Sequence, residues 1–226
     1  MNDGILEARG VVKRFGPTDA LRGVDVCIEG GELVAVAGPS GAGKSTLLHC
    51  LSGILRPDAG EVWFAGRRID TLGEADRAQL RRRELGFVFQ FGQLVEELPA
   101  VENVALPLLF DGVSRREARE RAMKWLERLG ALEVADQTPS EMSGGQAQRV
   151  AIARALVTGP RVVFADEPTG ALDSLNGERV MRLFTEAARD SGAAVVLVTH
   201  EPRVAAYADR EIVVRDGKAL DLARQA

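Results

Sequence analysis

Residues Gly38-Pro39-Ser40-Gly41-Ala42-Gly43-Lys44-Ser45 fit G-x-x-x-x-G-K-[ST], the pattern of a loop that wraps phosphate oxygens. Its glycines let the backbone approach an anion closely, because no Cβ stands in the way. Successive N–H groups and the N-terminus of a following helix then point at the phosphate. Lys44 has the reach for β- and γ-phosphates, and the Ser45 hydroxyl can bind Mg²⁺. A second chemical pair, Asp166-Glu167, ends the apolar run Val162-Val163-Phe164-Ala165. Open parallel sheets place their ligands at strand C-termini. Asp166 is therefore positioned to help hold Mg²⁺ through water, and Glu167 to polarise an attacking water. Gln90 closes the run Gly86-Phe87-Val88-Phe89 with a neutral amide, which can touch Mg²⁺ or the water and let go again. His200 ends the run Val195–Thr199 and can donate to a γ-phosphate or orient the water; a lone strand-end histidine is otherwise an ordinary surface or packing residue.

Ser143-Gly144-Gly145-Gln146 opens another helix. Ser at the N-cap with Gln three residues on is a capping box, which explains those two positions locally. Two glycines within the first turn cost about 1 kcal/mol each against alanine. They make sense if a group such as a phosphate must approach the exposed N–H groups.

These residues need particular elements behind them. Leu33-Val34-Ala35-Val36-Ala37 reads as a buried strand feeding the phosphate loop, and Lys44–Leu51 as a helix with Leu47, Leu48 and Leu51 on one side. The continuous apolar runs 86–89, 162–165 and 193–198 predict strands covered on both faces, as in a parallel sheet between helices. The first quarter reads differently. Val24–Glu29 mostly alternates and Val62-Trp63-Phe64 is short, which predicts antiparallel strands. Asp216-Gly217 predicts a hairpin turn between Ile212–Arg215 and Lys218–Leu220. From about 91 to 158 the helical period dominates. Ser114-Arg115-Arg116-Glu117 is a capping box, Ala118, Ala122, Trp125, Leu126 and Leu129 form an apolar stripe, and Gly130 is a stop signal.

The 226 residues suit one large domain, and 46% hydrophobic content suits a soluble globular protein. A net charge of -4 gives no electrostatic case for nucleic acid, so none is expected as a partner. No run approaches the ~18 apolar residues of a membrane span. Met1-Asn2-Asp3-Gly4 has neither a basic nor an apolar leader region, so a cytoplasmic location is expected. Cys27 and Cys50 form no C-x-x-C and are expected to be reduced thiols.

Taken in order, these elements resemble the ATP-binding-cassette ATPases, and the resemblance covers nearly the whole chain. It implies an α/β P-loop NTPase fold with a RecA-like parallel sheet core, an antiparallel β subdomain and a helical insert. It makes 1–226 a single domain, with core about 1–90 and 159–226 and a helical subdomain about 91–158. The ATP-binding stretch is then Gly38, Pro39, Ser40, Gly41, Ala42, Gly43, Lys44, Ser45 and Thr46. Phe15 matches the aromatic that stacks on adenine, where Tyr is commoner. Gln90 matches the Q-loop, and Ser143, Gly144, Gly145 and Gln146 match the signature, here preceded by Met142 where the family usually has Leu. Asp166 ends Walker B, Glu167 is the catalytic base, Asp173 matches the D-loop and His200 the switch histidine. Ser45, Gln90 and Asp166 would serve Mg²⁺.

The resemblance further implies two copies head to tail, each ATP lying between one phosphate loop and the partner's Ser143–Gln146. It implies a separate integral-membrane permease, through which the chain sits peripherally on the cytoplasmic face of the cell membrane. A coupling helix of that permease would sit by Gln90, in a groove rimmed by Phe91, Leu94 and Leu98. Gly86–Gln90, Glu102–Leu108 and Asp166–Asp173 resemble the branch of lipoprotein-releasing, macrolide- and peptide-exporting and cell-division ATPases. The expected function is ATP hydrolysis driving export or extraction of a lipid, lipoprotein, peptide or drug. The alternative is a mechanical regulator of a cell-envelope or cell-division partner that transports nothing.

Overall fold

A computed structural model describes residues 4–221. In chain order its elements are β1 (Leu6–Phe15), β2 (Thr18–Ile28), β3 (Leu33–Ala37), α1 (Lys44–Leu51), β4 (Ala59–Phe64), β5 (Arg67–Arg68), α2 (Glu74–Glu84) and β6 (Leu85–Phe89). There follow α3 (Ala100–Phe110), α4 (Arg115–Arg128), α5 (Gly144–Leu156), β7 (Val162–Asp166), α6 (Ser174–Ser191), β8 (Ala194–Val198), α7 (Pro202–Ala205), β9 (Arg210–Arg215) and β10 (Lys218–Asp221). Short 3₁₀ turns lie at Leu132–Val134 and Pro139–Glu141. Among the described residues no helix is long and apolar enough to cross a membrane.

The chain divides into two compact units, one taking in residues up to Arg81 and from Ala194 onward, the other Arg82–Ala193. In the first, an antiparallel sheet runs in the order β2-β1-β4-β5. Its pairing sets Leu6 opposite Ile28 and also opposite Phe64. The alternation predicted for 24–29 holds along Val24, Val26 and Ile28, which are buried while Asp25 is exposed. The same unit carries β3, parallel to β8 on one side and to β9 on the other. Residues 33–36 of β3 and all of β8 are buried, as the uninterrupted apolar runs require. The β9–β10 hairpin turns at Asp216 and Gly217, both with positive φ (50° and 75°), the backbone a two-residue turn of this type demands.

The second unit pairs β6 with β7 in parallel, Phe87 facing Phe164 with ring centroids 5.7 Å apart and Phe89 facing Asp166. Helices α3, α4, α5 and α6 belong to it. The α4 stripe is buried at Ala118, Ala122, Leu126 and Leu129, with Trp125 half-buried. Ser114 Oγ caps α4 by accepting the Glu117 N–H at 3.3 Å, the serine half of the predicted box. Gly130 leaves the helix at φ 60°, as its stop role requires. Helix α6 is bounded by Asp173 and Gly192, the latter also left-handed, and buries Val180, Met181, Phe184, Ala187 and Ala188.

Candidate functional site

The first unit holds Phe15, residues 38–46 and His200. Strand β3 delivers the chain into the loop, and α1 carries it away. Gly38, Gly41 and Gly43 have φ of 143°, 77° and 106°, conformations that side-chain-bearing residues avoid. Space compounds the constraint at two of them. A Cβ on Gly38 would run into the Val214 carbonyl, and one on Gly43 into the Ala20 carbonyl. Helix α1 starts with no side-chain cap and no acidic residue in its first turn, an N-terminus whose dipole suits an anion. Lys44 is only 8% exposed, and its Nζ donates to the carbonyls of Gly38 and Pro39, each at 2.9 Å. The ammonium is thus held folded over the loop's own concavity, on weak neutral acceptors that a phosphate would outbid. Ser45 is exposed and Thr46 half-buried. Together these features fit a polyphosphate.

His200 lines the same cavity as Gly38, Pro39 and Ser40, a space of about 870 Å³. The buried Thr199 just before it bonds to Val36 of β3 through its N–H and accepts the Glu201 N–H on Oγ1 at 3.0 Å, which fixes the chain on either side of the histidine. Phe15 ends β1 and is 49% exposed, with Lys13 Nζ 5.7 Å from its ring centroid. Lys13 also pairs with Asp58 at 3.0 Å. The Arg14 N–H donates to Asp58 as well, and these contacts hold its carboxyl below the ordinary range.

The second unit holds Gln90, Ser143–Gln146, Asp166, Glu167 and Asp173. The β6–β7 register puts Gln90 and Glu167 each one residue beyond the paired Phe89 and Asp166, at the C-terminal end of two parallel strands. Glu167 adopts φ 48°, a strained conformation for a residue with a side chain. Its carbonyl accepts the Gly170 N–H at 3.0 Å, closing a turn. Gln90 lies against that turn: a Cβ on Gly170 would sit 2.8 Å from Gln90 Nε2. Gly170 was not singled out from the sequence, though it is what leaves room for Gln90.

At the start of α5 the predicted capping box is complete. Ser143 Oγ accepts the Gln146 N–H, and Gln146 Oε1 accepts the Ser143 N–H at 2.9 Å. The two glycines separate here. A Cβ on Gly144 would press Leu172 at 3.3 Å, so packing within the chain gives that glycine a reason. A Cβ on Gly145 would meet only ordinary contacts with Asn176, the nearest at 3.7 Å, and packing gives that glycine none. Asp173 caps α6 by accepting the Asn176 N–H at 3.0 Å and its side-chain amide at 2.6 Å, which lowers its pKa. The N-termini of α5 and α6 therefore lie side by side. Behind them Arg149 is buried. It donates to the carbonyls of Leu129 and Gly130 and pairs with Glu133 at 3.5 Å, and burial lowers its pKa.

Phe91 is 78% exposed, and Leu94 and Leu98 are half-buried, so the rim expected near Gln90 is not core. Among the described residues no cluster of three or more His, Cys, Asp or Glu could hold a metal ion by itself. A Mg²⁺ at this site would need few protein oxygens and several from phosphate and water, the usual preference of that ion.

The family model described as "ABC transporter" matches residues 21–170. The chain belongs to the ABC transporter family. It is 45% identical to the lipoprotein-releasing system ATP-binding protein LolD of Porphyromonas gingivalis over 94% of this chain and 97% of that protein. It is also 45% identical to the macrolide export ATP-binding/permease protein MacB of Nitrosomonas europaea, over 96% of this chain but 33% of that protein. Among solved structures it is similar to a dimeric, post-hydrolysis state of the ATP-binding cassette MJ0796 bound to ADP and Pi. There the identity is 39% and the TM-score 0.87, over 95% of this chain and 96% of that one. The fold is that of these cassettes, an α/β P-loop NTPase, and the activity is ATP hydrolysis.

Proposed function

We propose that two copies of this chain bind two ATP molecules head to tail and use their hydrolysis to power a separate integral-membrane permease at the cytoplasmic face of the membrane. The cargo is a lipid, lipoprotein, peptide or drug, exported or extracted. One observation carries the pairing with a permease. Relatives matched almost end to end are named ATP-binding proteins of a lipoprotein-releasing system, whereas those matched over a third of their length are named ATP-binding/permease proteins.

Within this reading Phe15 stacks on the base. Residues 38–46 enclose the phosphates, and Lys44 leaves the two loop carbonyls for the β- and γ-phosphates. Ser45, Gln90 and Asp166 would hold Mg²⁺, which when bound neutralises charge on the phosphate oxygens. Glu167 takes a proton from the attacking water, and His200 positions the γ-phosphate. Ser143, Gly144, Gly145 and Gln146 face the partner's nucleotide, the N–H groups of Gly144 and Gly145 pointing to it while Ser143 and Gln146 close the capping box, with Asp173 beside them. Gly145 supports this, because packing within the chain gives no reason for a glycine there. Positioning and electrostatics supply most of the rate.

The test has two parts. Hydrolysis per chain by the purified protein should rise with protein concentration, because each site needs a second copy. The tagged chain should also leave detergent-solubilised membranes with an integral-membrane protein that raises its ATPase rate. Hydrolysis strictly proportional to protein at all concentrations, with no such membrane partner, would overturn the proposal.

A further inference from the structure

Helix α5 holds the loop around Gln90 by three side-chain hydrogen bonds, from residues that none of the roles above employs. Gln148, 2% exposed, donates from Nε2 to the carbonyl of Phe89, immediately before Gln90, at 2.9 Å. Arg154 donates from its two terminal nitrogens to the carbonyls of Gly92 and Gln93, just after Gln90, at 2.7 and 2.8 Å. Arg154 is half-buried, and both its terminal nitrogens are engaged by these neutral acceptors. Gly92 and Gln93 both have positive φ (66° and 48°), and Gln93 holds it without a glycine's freedom. A fork of two parallel donors suits two successive carbonyls turned the same way, which a lysine could not match. Between the gripped carbonyls sits Phe91, its side chain turned outward.

The same helix begins at the Ser143–Gln146 segment. Gly145 and Arg154 are nine positions apart on α5, about 14 Å along the axis at 1.5 Å per residue. We infer that Gln148 and Arg154 are positioning residues that fasten the Gln90 loop to α5, so that the loop and the Ser143–Gln146 segment move as one rigid body. A displacement applied at Phe91 then reaches the glycines that meet the second ATP without being absorbed by the loop. This rests on the reading in which those glycines serve a partner's nucleotide.

The test uses the full chain with Arg154→Met, Arg154→Lys and Gln148→Met. Hydrogen exchange is followed at the amides of Phe91–Leu94 without nucleotide, and hydrolysis is followed against ATP concentration. Loss of one hydrogen bond in Gln148→Met should speed exchange there about 10-fold, and loss of two in Arg154→Met about 10- to 100-fold. Either should lower kcat by roughly 10- to 100-fold while leaving KM within about twofold, since misplacement affects the reacting geometry. Arg154→Lys, which keeps the charge and can reach one of the two carbonyls but lacks the fork, should recover part of both effects and guards against loss of folding in the methionine variant. Wild-type exchange in all three, or a KM rise with kcat unchanged, would overturn the inference. A wild-type chain that does not hydrolyse ATP would instead sink the proposed function, and the exchange rates would still decide on the grip.

Discussion

Gly170→Ala separates the position of Gln90 from every other feature of the site. Gly170 is absent from the positions of left-handed φ, so the backbone accepts alanine. The new Cβ would lie 2.8, 3.1 and 3.3 Å from Nε2, Cδ and Cγ of Gln90. Ordinary contact begins at 3.4 Å, so the amide must retreat by at least 3.4 − 2.8 = 0.6 Å. A misplacement approaching 1 Å can cost about 100-fold in rate, so kcat should fall by roughly 10- to 100-fold. Stability should move little. The substitution removes unfolded-state freedom worth about 0.4–1 kcal/mol. Against that stands an overpacking cost at the lower end of about 1–3 kcal/mol, because a flexible side chain can move away. The assay is steady-state ATP hydrolysis over a range of ATP concentrations, with urea unfolding alongside. KM should stay within about threefold, because the phosphate loop is untouched. A cycle with Gln90→Ala completes the test: once Gln90 is alanine, Gly170→Ala should cost almost nothing further. Wild-type kcat in Gly170→Ala, or additive losses in the cycle, would refute the reasoning.

Three other outcomes follow from local chemistry. Lys44→Ala should weaken ATP binding about 10- to 150-fold, the worth of a charged hydrogen bond of about 1.5–3 kcal/mol, and equilibrium dialysis would check it. Burial pushes the Cys50 thiol up to about 12, so iodoacetamide at pH 8 should leave Cys50 unmodified in the folded chain and label it after unfolding, as peptide mass spectrometry would reveal. The Asp58 carboxyl is held down by the Arg14 N–H and by Lys13, so its stabilisation is present above the unfolded pKa and lost as pH falls through the folded one. The Tm difference between wild type and Asp58→Asn should therefore be largest near neutrality and shrink below about pH 4.

Much of the fold was legible because burial writes itself into residue type. Strands β3, β7 and β8 are covered on both faces and read as unbroken apolar runs. The β9–β10 hairpin was marked by Asp216-Gly217, which tolerate the required φ. Helix α2 left no such trace. It buries no residue and is held from its surface, where Arg81 bonds to Glu74 and to the Gly53 carbonyl, so no apolar stripe exists to be found. Helix α6 was legible but unread: Asp173, the Val180–Phe184–Ala188 spacing and Gly192 are ordinary start, stripe and stop signals. Strand β1 resists reading because its register shifts near Gly10 break the alternation.

The same distinction applies to the site. Motif residues could be named from spacing alone, since a phosphate loop is local in the chain. Gly170 could not, because what it accommodates is Gln90, eighty positions earlier. Gln148 and Arg154 were hidden for a like reason. On a mostly apolar helix they look like ordinary polar positions until the carbonyls they hold are seen. The glycine pair was half explained by chemistry the sequence does not display, the packing of Leu172 on Gly144.

The most direct measurement is the mass of the Glu167→Gln chain by light scattering, with and without ATP and Mg²⁺. Removing the base should slow hydrolysis by about 100- to 10,000-fold while leaving binding intact. The nucleotide then stays whole between two copies. The account predicts a particle of twice 24.3 kDa with ATP, retaining unhydrolysed nucleotide, and a smaller one without it. A single-copy mass at saturating ATP, or turnover at the wild-type rate, would contradict it.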